Sequence, residues 1–366
     1  MIKPFKEPIY VTRPLIPDIN KYMEYLKVII NNRTFSNNAQ HVVSLEEKLK
    51  ALLEVKHGSV FCNGTIALMI ALRSLKLKGS VATPAFTFPA TPNVLLWNNL
   101  TPIFCDIDYE TMNITPEFAE RALNSTTTAI LAVHVFGTPC DVYGFKDLAE
   151  VYKLKVVYDA AHAFMVKYDN VSIGNFGDIT MFSFHPTKLF HTSEGGMLAY
   201  NNPDLDIIIK QLRAFGIKND DIGSIREGIN GKMNELQAIM GLCILEKIDE
   251  ERNKRKNIAE LYRKYLSDIP WITILNLGDN IEQSYQYFPI RIRDRSRDEV
   301  NEHLKKHNVY PRKYFYPLCS DFAHFKYLNS NLPNSKKVSE EILCLPYYGD
   351  LTKDDVEKIC SILAEV

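Results

Sequence analysis

A lysine and an aspartate, each at the end of an apolar strand-like segment, carry the chemistry that this sequence suggests. The apolar, strand-like segment 178–184 ends on a polar turn that carries Lys188, within 182–188 (FSFHPTK) and shortly before the triplet 194–196 (EGG), and Asp159 closes the apolar run 156–159. A lysine amine at a strand end, with small residues beyond it, suits Schiff-base formation with a carbonyl. Pyridoxal phosphate needs such a lysine together with an acid for its ring nitrogen. Either residue alone is more often structural, but the pair in this order predicts a site for this cofactor.

The turn between a predicted strand and helix at residues 62–65 (CNGT) is a candidate phosphate site. Gly64 permits close approach of the backbone, and Thr65 offers a hydroxyl and an N–H at a helix N-terminus, where anions bind well. A plain helix cap is the alternative interpretation. Ser183 is a candidate for a second phosphate hydroxyl. Phe88 is a candidate to cover the cofactor ring, the alternative being an ordinary core aromatic.

Composition narrows the functional classes. The chain has 366 residues, of which 46% are hydrophobic, and a net charge of −1, so no nucleic acid or membrane partner is expected. Its seven scattered cysteines form no CxxC pair, which predicts reduced thiols and no metal site. No signal peptide is visible, and no apolar run approaches the ~20 residues of a membrane span. We therefore expect a soluble cytoplasmic protein.

Alternating helical and strand patterns from about residue 44 to 200 predict a mostly parallel sheet with helical crossovers. The predicted helices are 44–53, 65–75, 90–97, 116–123 and 143–152, and the predicted strands are 58–62, 80–83, 102–105, 129–133 and 155–158. Ligands of such sheets bind at the carboxyl ends of the strands. The turn at 63–65, Asp159 and Lys188 all fall at such ends.

The pattern changes after Gly196. Helical periodicity from 233 to about 266 predicts a long element that links two domains, and it precedes a strand at 287–292. Further helices are predicted at 297–306, 335–343 and 353–364. We predict a large α/β domain over 1–245, which includes an N-terminal helical segment, and a small α+β domain over 246–366.

A dinucleotide-dependent sugar oxidoreductase would also use an alternating sheet. It would carry a GxGxxG turn after its first strand, and this chain has neither that motif nor a GxxxxGK[ST] loop. The motif content therefore argues against a dinucleotide cofactor.

Over nearly its whole length the chain resembles the DegT/StrS-type sugar aminotransferases, pyridoxal phosphate enzymes of fold type I, the aspartate aminotransferase-like fold. The matching motifs are Asn63-Gly64-Thr65, 84–88 (PAFTF), His134-x-Phe136-Gly137, 159–163 (DAAHA), 182–188 with 194–196, and 230–238 (NGKMNELQA). The resemblance implies a large, mostly parallel sheet domain followed by a small α+β domain.

The resemblance also implies roles for individual residues. Lys188 would bind the cofactor covalently and shuttle protons, and Asp159 would pair with the ring nitrogen. The other implied cofactor contacts are His162 near the ring 3-oxygen, Phe88 on the ring face, Gly64, Thr65 and Ser183 at the phosphate, and Asn230 from the partner subunit of a homodimer. A loop residue without a ligand is the alternative for Asn230. Candidate substrate contacts are Tyr314, Tyr316 and His185.

The activity implied is transfer of an amino group from L-glutamate to a nucleotide-linked keto-sugar. The combination of His185 with the EGG triplet resembles the motif of enzymes that aminate C4 of the sugar. This implies dTDP-4-keto-6-deoxy-D-glucose as the acceptor and a product that is used for O-antigen or another surface glycan. Amination at C3 and a UDP-linked 4-keto sugar are the alternatives. Lys188 separates the chain from dehydratases of the family, which carry histidine there. A non-catalytic pyridoxal phosphate-binding regulator would be expected to lack Lys188 or Asp159.

Overall fold

The computed structural model describes residues 2–218, 223–328 and 330–366. The helices are α1 (Ile19–Asn32), α2 (Gln40–Leu52), α3 (Gly64–Ser74), α4 (Ala90–Trp97), α5 (Pro116–Ala122), α6 (Val142–Tyr152), α7 (Pro203–Arg213), α8 (Glu235–Leu245), α9 (Ile248–Leu266), α10 (Arg297–Lys306), α11 (Pro333–Glu341) and α12 (Lys353–Ala364). The strands are β1 (Ile9–Tyr10), β2 (His57–Phe61), β3 (Ser80–Pro84), β4 (Thr101–Cys105), β5 (Thr127–Val133), β6 (Lys155–Asp159), β7 (Lys167–Tyr168), β8 (Val171–Ser172), β9 (Ile179–Ser183), β10 (Gly196–Tyr200), β11 (Ile272–Ile274), β12 (Ile281–Glu282), β13 (Phe288–Ile292), β14 (Val309–Tyr310) and β15 (Ile342–Leu345).

The central sheet has seven strands in the order β2-β10-β9-β6-β5-β3-β4. All neighbours pair in parallel except β10, which is antiparallel to both β2 and β9. Alternate residues of β5 pack into two different hydrophobic clusters. Ile130 and Ala132 belong to one cluster, and Ala129 and Leu131 belong to the other. Both faces of the sheet are therefore covered, which explains why its strands read as continuous apolar runs. The predicted mostly parallel sheet is confirmed.

The direction of the strands brings three chain segments to one edge. Because β2, β6 and β9 run the same way, they all end at the same side of the sheet. Gly196, the first residue of β10, pairs with Ser183 on one side and with Phe61 on the other. The turn after β2, the end of β6 and the loop from β9 to β10 therefore meet at this edge.

The C-terminal part of the chain forms a second core. A three-stranded antiparallel sheet, β11-β13-β15, packs with α9, α10 and α12. The N-terminal strand β1 pairs with β14, and Ile9 enters this second core. The division into 1–245 and 246–366 stays a prediction. None of the described helices is long and apolar enough to cross a membrane.

The prediction was incomplete in the region after Gly196. The predicted long element at 233–266 is two helices, α8 and α9, with a break at Glu246 and Lys247. Strand β10 and helix α7 were not predicted, and the helix predicted at 335–343 gives way to β15 from Ile342.

Candidate active site

The turn after β2 presents free backbone N–H groups at the start of α3. The side chain of Asn63 caps the helix by accepting from the N–H of Ile66 at 2.8 Å. This leaves the N–H groups of Gly64 and Thr65 without an intrahelical partner, and Thr65 is exposed. A Cβ placed on Gly64 would lie 3.3 Å from the Cβ of Ser183, so the turn and the end of β9 are in close contact. Free N–H groups at a helix N-terminus beside two hydroxyl side chains suit a phosphate, and we call Gly64, Thr65 and Ser183 together the candidate phosphate cradle.

Gly196 packs directly against the Gly64 backbone of this cradle. A Cβ added there would lie 2.7 Å from the Cα of Gly64 and 2.8 Å from its nitrogen, distances that no real Cβ tolerates. The amide of Gln237 donates to the carbonyls of Cys62 at 3.0 Å and Glu194 at 2.6 Å. It thereby ties the phosphate turn to the loop that precedes β10. Gln237 lies in the 230–238 motif, but its role was not predicted.

Asp159 is buried and held by two donors. Its Oδ1 accepts from the N–H of Ala161 at 3.0 Å, and its Oδ2 accepts from the Thr91 hydroxyl at 2.8 Å. Because Thr91 donates to the carboxylate, it accepts from the hydroxyl of Thr87, 2.9 Å away. Burial raises the pKa of Asp159, whereas these two hydrogen bonds and the charge of Lys188 act in the opposite direction. Neither threonine was predicted.

His162 is a buried, neutral imidazole in a defined tautomer. Its Nδ1 accepts from the N–H of Phe136 at 3.2 Å, so the ring proton is on Nε2. Burial, and then the charge of Lys188, place the pKa of His162 well below its usual value. The ring stacks on Phe136 and Phe315 and meets the edge of Tyr287, with centroids 4.8 Å apart. His162 therefore offers an N–H donor of fixed direction.

Lys188 lies half-buried in the loop between β9 and β10. Its N–H donates to the carbonyl of His185 at 2.9 Å, and its Nζ is 5.6 Å from the ring centroid of Tyr287. Burial lowers the pKa of Lys188 to about 8. The Asp159 carboxylate opposes this lowering, and the Arg312 guanidinium adds to it. Tyr287 and Arg312 were not predicted.

The remaining cofactor candidates are at the surface of the chain. Phe88 is 52% exposed, whereas its neighbour Phe86 is buried, so Phe88 is free to face a ligand. Asn230 is exposed and forms an isolated bridge with Ala214. Both roles stay predictions.

The three substrate candidates differ in their surroundings. The Nδ1 of His185 accepts from the N–H of Thr187 at 3.2 Å, and its Nε2 lies 3.7 Å from the Glu194 carboxylate. The ring of Tyr314 lies 5.4 Å from that of Tyr287, beside Lys188. Tyr316 is 51% exposed and packs under the guanidinium of Arg297, 4.8 Å from its ring centroid. Tyr314 therefore lies near the predicted site of the chemistry, whereas the contacts of Tyr316 do not place that residue there.

The donor set fits pyridoxal phosphate. A helix N-terminus with two hydroxyl side chains suits the phosphate, a buried carboxylate suits the ring nitrogen, and an imidazole N–H suits the ring oxygen. The amine of Lys188, with its lowered pKa, suits covalent attachment. A doubly covered, mostly parallel sheet with this set at its strand ends defines a pyridoxal phosphate enzyme.

Sequence comparison places the enzyme in a family. The family model described as the DegT/DnrJ/EryC1/StrS aminotransferase family matches residues 18–364, and the chain belongs to this family. It is 40% identical to a dTDP-4-amino-4,6-dideoxy-D-glucose transaminase of Shigella dysenteriae, over 99% of this chain and 100% of the relative. A transaminase of the same name from Escherichia coli is also 40% identical, over 97% and 98% of the two chains.

Solved structures agree. A crystal structure of DesI in the presence of its TDP-sugar product superposes with a TM-score of 0.94 at 32% identity, covering 99% of this chain and 93% of that one. The Helicobacter pylori aminotransferase PseC, involved in pseudoaminic acid biosynthesis, gives a TM-score of 0.91 at 25% identity and covers 98% and 99%. The predicted fold, cofactor and enzyme class are confirmed: the chain is a pyridoxal phosphate-dependent aminotransferase.

Proposed function

We propose that the enzyme transfers the amino group of L-glutamate to dTDP-4-keto-6-deoxy-D-glucose and forms dTDP-4-amino-4,6-dideoxy-D-glucose. The observation that carries this proposal is the 40% identity, over practically the full length of both chains, with transaminases named for that product. His185 and the EGG triplet at 194–196 support amination at C4. The product would enter O-antigen or another surface glycan. The seven free cysteines support a cytoplasmic location.

The cofactor contacts proposed are the Gly64 and Thr65 N–H groups and the Ser183 hydroxyl for the phosphate, Asp159 for the ring nitrogen, His162 Nε2–H for the 3-oxygen, and Phe88 for the ring face. Bound pyridoxal phosphate supplies a ring that takes up electron density from the carbon that loses its proton. Asp159 keeps a proton at the ring nitrogen, and this positive partner compensates the burial of its carboxylate. The threonine pair Thr87 and Thr91 holds that carboxylate in one orientation.

Lys188 is proposed to move the protons. Its Nζ removes a proton from the α-carbon of L-glutamate in the first half-reaction and delivers one to C4 of the sugar in the second. With a pKa of about 8, roughly a tenth of the amines are uncharged at pH 7, compared with well under a thousandth at the usual lysine pKa. The lowered pKa therefore supports a role as a base.

A homodimer with shared active sites is the proposed assembly. Exposed apolar side chains are concentrated on α1, on the chain that follows it, and between residues 215 and 236. They include Ile19, Met23, Ile30, Phe35, Val43, Phe215, Ile229 and Leu236. The carbonyl of Phe35 accepts from the N–H of Glu235, and the N–H of Phe215 donates to the carbonyl of Ile229, so the segments that carry these side chains are in contact. A second copy would cover this surface and bring its Asn230 towards the phosphate.

The proposal is tested by identifying the product. The purified enzyme is incubated with L-glutamate and dTDP-4-keto-6-deoxy-D-glucose, and NMR locates the new nitrogen, which we expect at C4. Nitrogen at C3 would refute the C4 assignment, and preference for a UDP-linked 4-keto sugar would refute the nucleotide. A Lys188→Ala variant serves as the control, since it should form no product although it keeps the phosphate cradle.

A further inference from the structure

A short segment that leads into β13 touches two parts of the active site at once. Ser284 donates its hydroxyl to the carbonyl of His162 at 3.1 Å. Tyr287 packs its ring against the His162 ring and lies 5.6 Å from the Nζ of Lys188. Gln286 lies between them and is 2% exposed. The segment therefore contacts both the loop of His162 and the loop of Lys188.

Gln286 binds the backbone on both sides of Lys188. Its Oε1 accepts from the N–H of Leu189 at 2.6 Å, and its Nε2 donates to the carbonyl of Thr187 at 2.8 Å. The neutral amide of one side chain supplies both an acceptor and a donor, so it can bind the N–H of one peptide group and the carbonyl of the neighbouring one. The backbone around Lys188 is thus fixed by a residue almost a hundred positions away in the chain.

The loop has other anchors that hold it in place. Leu189 and Phe190 are fully buried, the N–H of Thr192 donates to the carbonyl of Phe184 at 3.1 Å, and the N–H of Phe184 donates to the carbonyl of Gly195 at 2.9 Å. These contacts keep the loop folded when the amide is absent. What Gln286 adds is the orientation of the two peptide groups from which the Lys188 side chain departs.

We propose that Gln286 is a positioning residue for Lys188, which directs the amine towards the reacting carbon without touching substrate itself. This inference rests on the proposed role of Lys188 as the proton-transferring base. Without the amide, the peptide groups on either side of Lys188 rotate more freely, and the amine samples solvent as well as the site. A misdirected base slows proton transfer more than it weakens substrate binding.

Three variants separate positioning from general stability. Gln286→Met has a similar length and loses both hydrogen bonds, whereas Gln286→His keeps one donor and one acceptor. Gln283→Met is the matched control, because the backbone carbonyl of Gln283, rather than its side chain, receives the Arg252 guanidinium. Thermal denaturation of each variant establishes that it is folded.

The first measurement uses cofactor-free protein. Reductive methylation of Lys188 by formaldehyde and cyanoborohydride is followed by mass spectrometry across pH. We expect the midpoint of this reaction to rise in Gln286→Met, since an amine that reaches solvent regains its ordinary basicity, and to stay unchanged in Gln283→Met. An unchanged midpoint in Gln286→Met would overturn the proposal.

The second measurement is the glutamate half-reaction of the cofactor-loaded enzyme, followed by release of 2-oxoglutarate in a single turnover. We expect Gln286→Met to lower the rate by about tenfold at unchanged glutamate affinity, with partial recovery in Gln286→His. Equal loss in the Met and His variants, in proportion to their loss of thermal stability, would show a merely structural role. Neither measurement uses a sugar nucleotide, so failure of the proposed sugar assignment would be seen separately.

Discussion

Burial and two charged neighbours set the pKa of the Lys188 amine, and the effect of each neighbour can be tested by a substitution. Burial lowers the pKa of this amine to about 8, the Asp159 carboxylate opposes this, and the Arg312 guanidinium adds to it. Removing the guanidinium in Arg312→Gln should raise the pKa of Lys188, because the ammonium form loses a repulsive neighbour. In cofactor-free protein we therefore expect the pH midpoint of Lys188 methylation to lie near 8 and to rise in this variant. At pH 7 the variant should react more slowly.

The opposite change provides the internal check. Asp159→Asn removes a charge that favours the ammonium form, so the midpoint should fall below that of the wild type. Arg295→Gln is the control for loss of a positive charge elsewhere, since Arg295 pairs with the carbonyl of Val366 at the end of the chain. A midpoint that moves the same way in the Arg312 and Asp159 variants would contradict the electrostatic account.

Residues at strand ends could be predicted from sequence, but their supporting partners could not. Lys188 and Asp159 follow apolar runs whose direction in a parallel sheet fixes the edge they reach. Thr91 lies 68 residues from the Asp159 carboxylate it contacts, and Gln286 lies 97 residues from Leu189. Nothing in the local pattern around either residue indicates such a partner, since packing of the finished fold brings them together.

At the scale of elements, periodicity was sufficient where an element stands alone between turns. The predicted bounds of α4 and α10 equal the observed ones. Helix α2 begins at Gln40 rather than 44 because the distant Glu235 carboxylate accepts from the N–H groups of His41 and Val42. Helix α8 buries most of its circumference, so the break before α9 leaves no change in its apolar pattern.

Strand β10 was missed because no crossover helix precedes it. It enters the sheet antiparallel between β2 and β9, directly after the loop of Lys188. Its first residue, Gly196, packs against the backbone of Gly64, so a substitution at this position tests how the strand fits into the sheet.

Gly196→Ala should disturb both β10 and the phosphate cradle. The added Cβ would lie 2.7 Å from the Cα of Gly64, and because the three nearest atoms are all backbone atoms of Asn63 and Gly64, there is little room to adjust. Overpacking of this kind costs about 1–3 kcal/mol of folding free energy. We expect a lower free energy of unfolding in urea and weaker binding of pyridoxal phosphate, measured by absorbance titration.

Gly278→Ala is the matched control for that substitution. Gly278 is exposed, and its added Cβ would approach only the end of the Asn280 side chain, which can move away. Its stability and cofactor affinity should equal those of the wild type. Wild-type cofactor affinity in Gly196→Ala would contradict the close contact between β10 and the cradle.

At the scale of the whole molecule, the position of Asn230 connects cofactor binding with assembly. The carbonyl of the next residue, Gly231, accepts from the N–H of Cys62 at 2.9 Å, so Asn230 lies close to the phosphate turn of its own chain. It also lies on the exposed apolar surface proposed to meet a second copy. In the proposed homodimer the phosphate sites of both subunits are therefore candidates for contact with Asn230, and the resemblance to the family favours the partner's.

Mixed dimers distinguish the two routes. Lys188→Ala chains are expected to be inactive, and Asn230→Ala chains to be active only at high cofactor concentration. If Asn230 acts across the interface, a dimer of one chain of each kind contains one site in which both residues are intact.

Random assortment then restores about a quarter of all sites, and activity at limiting pyridoxal phosphate reappears on mixing after co-refolding. If Asn230 serves its own subunit, every site keeps one defect and mixing restores nothing. Mixing either variant with itself is the control, and size-exclusion chromatography with light scattering establishes that the mixed species is a dimer.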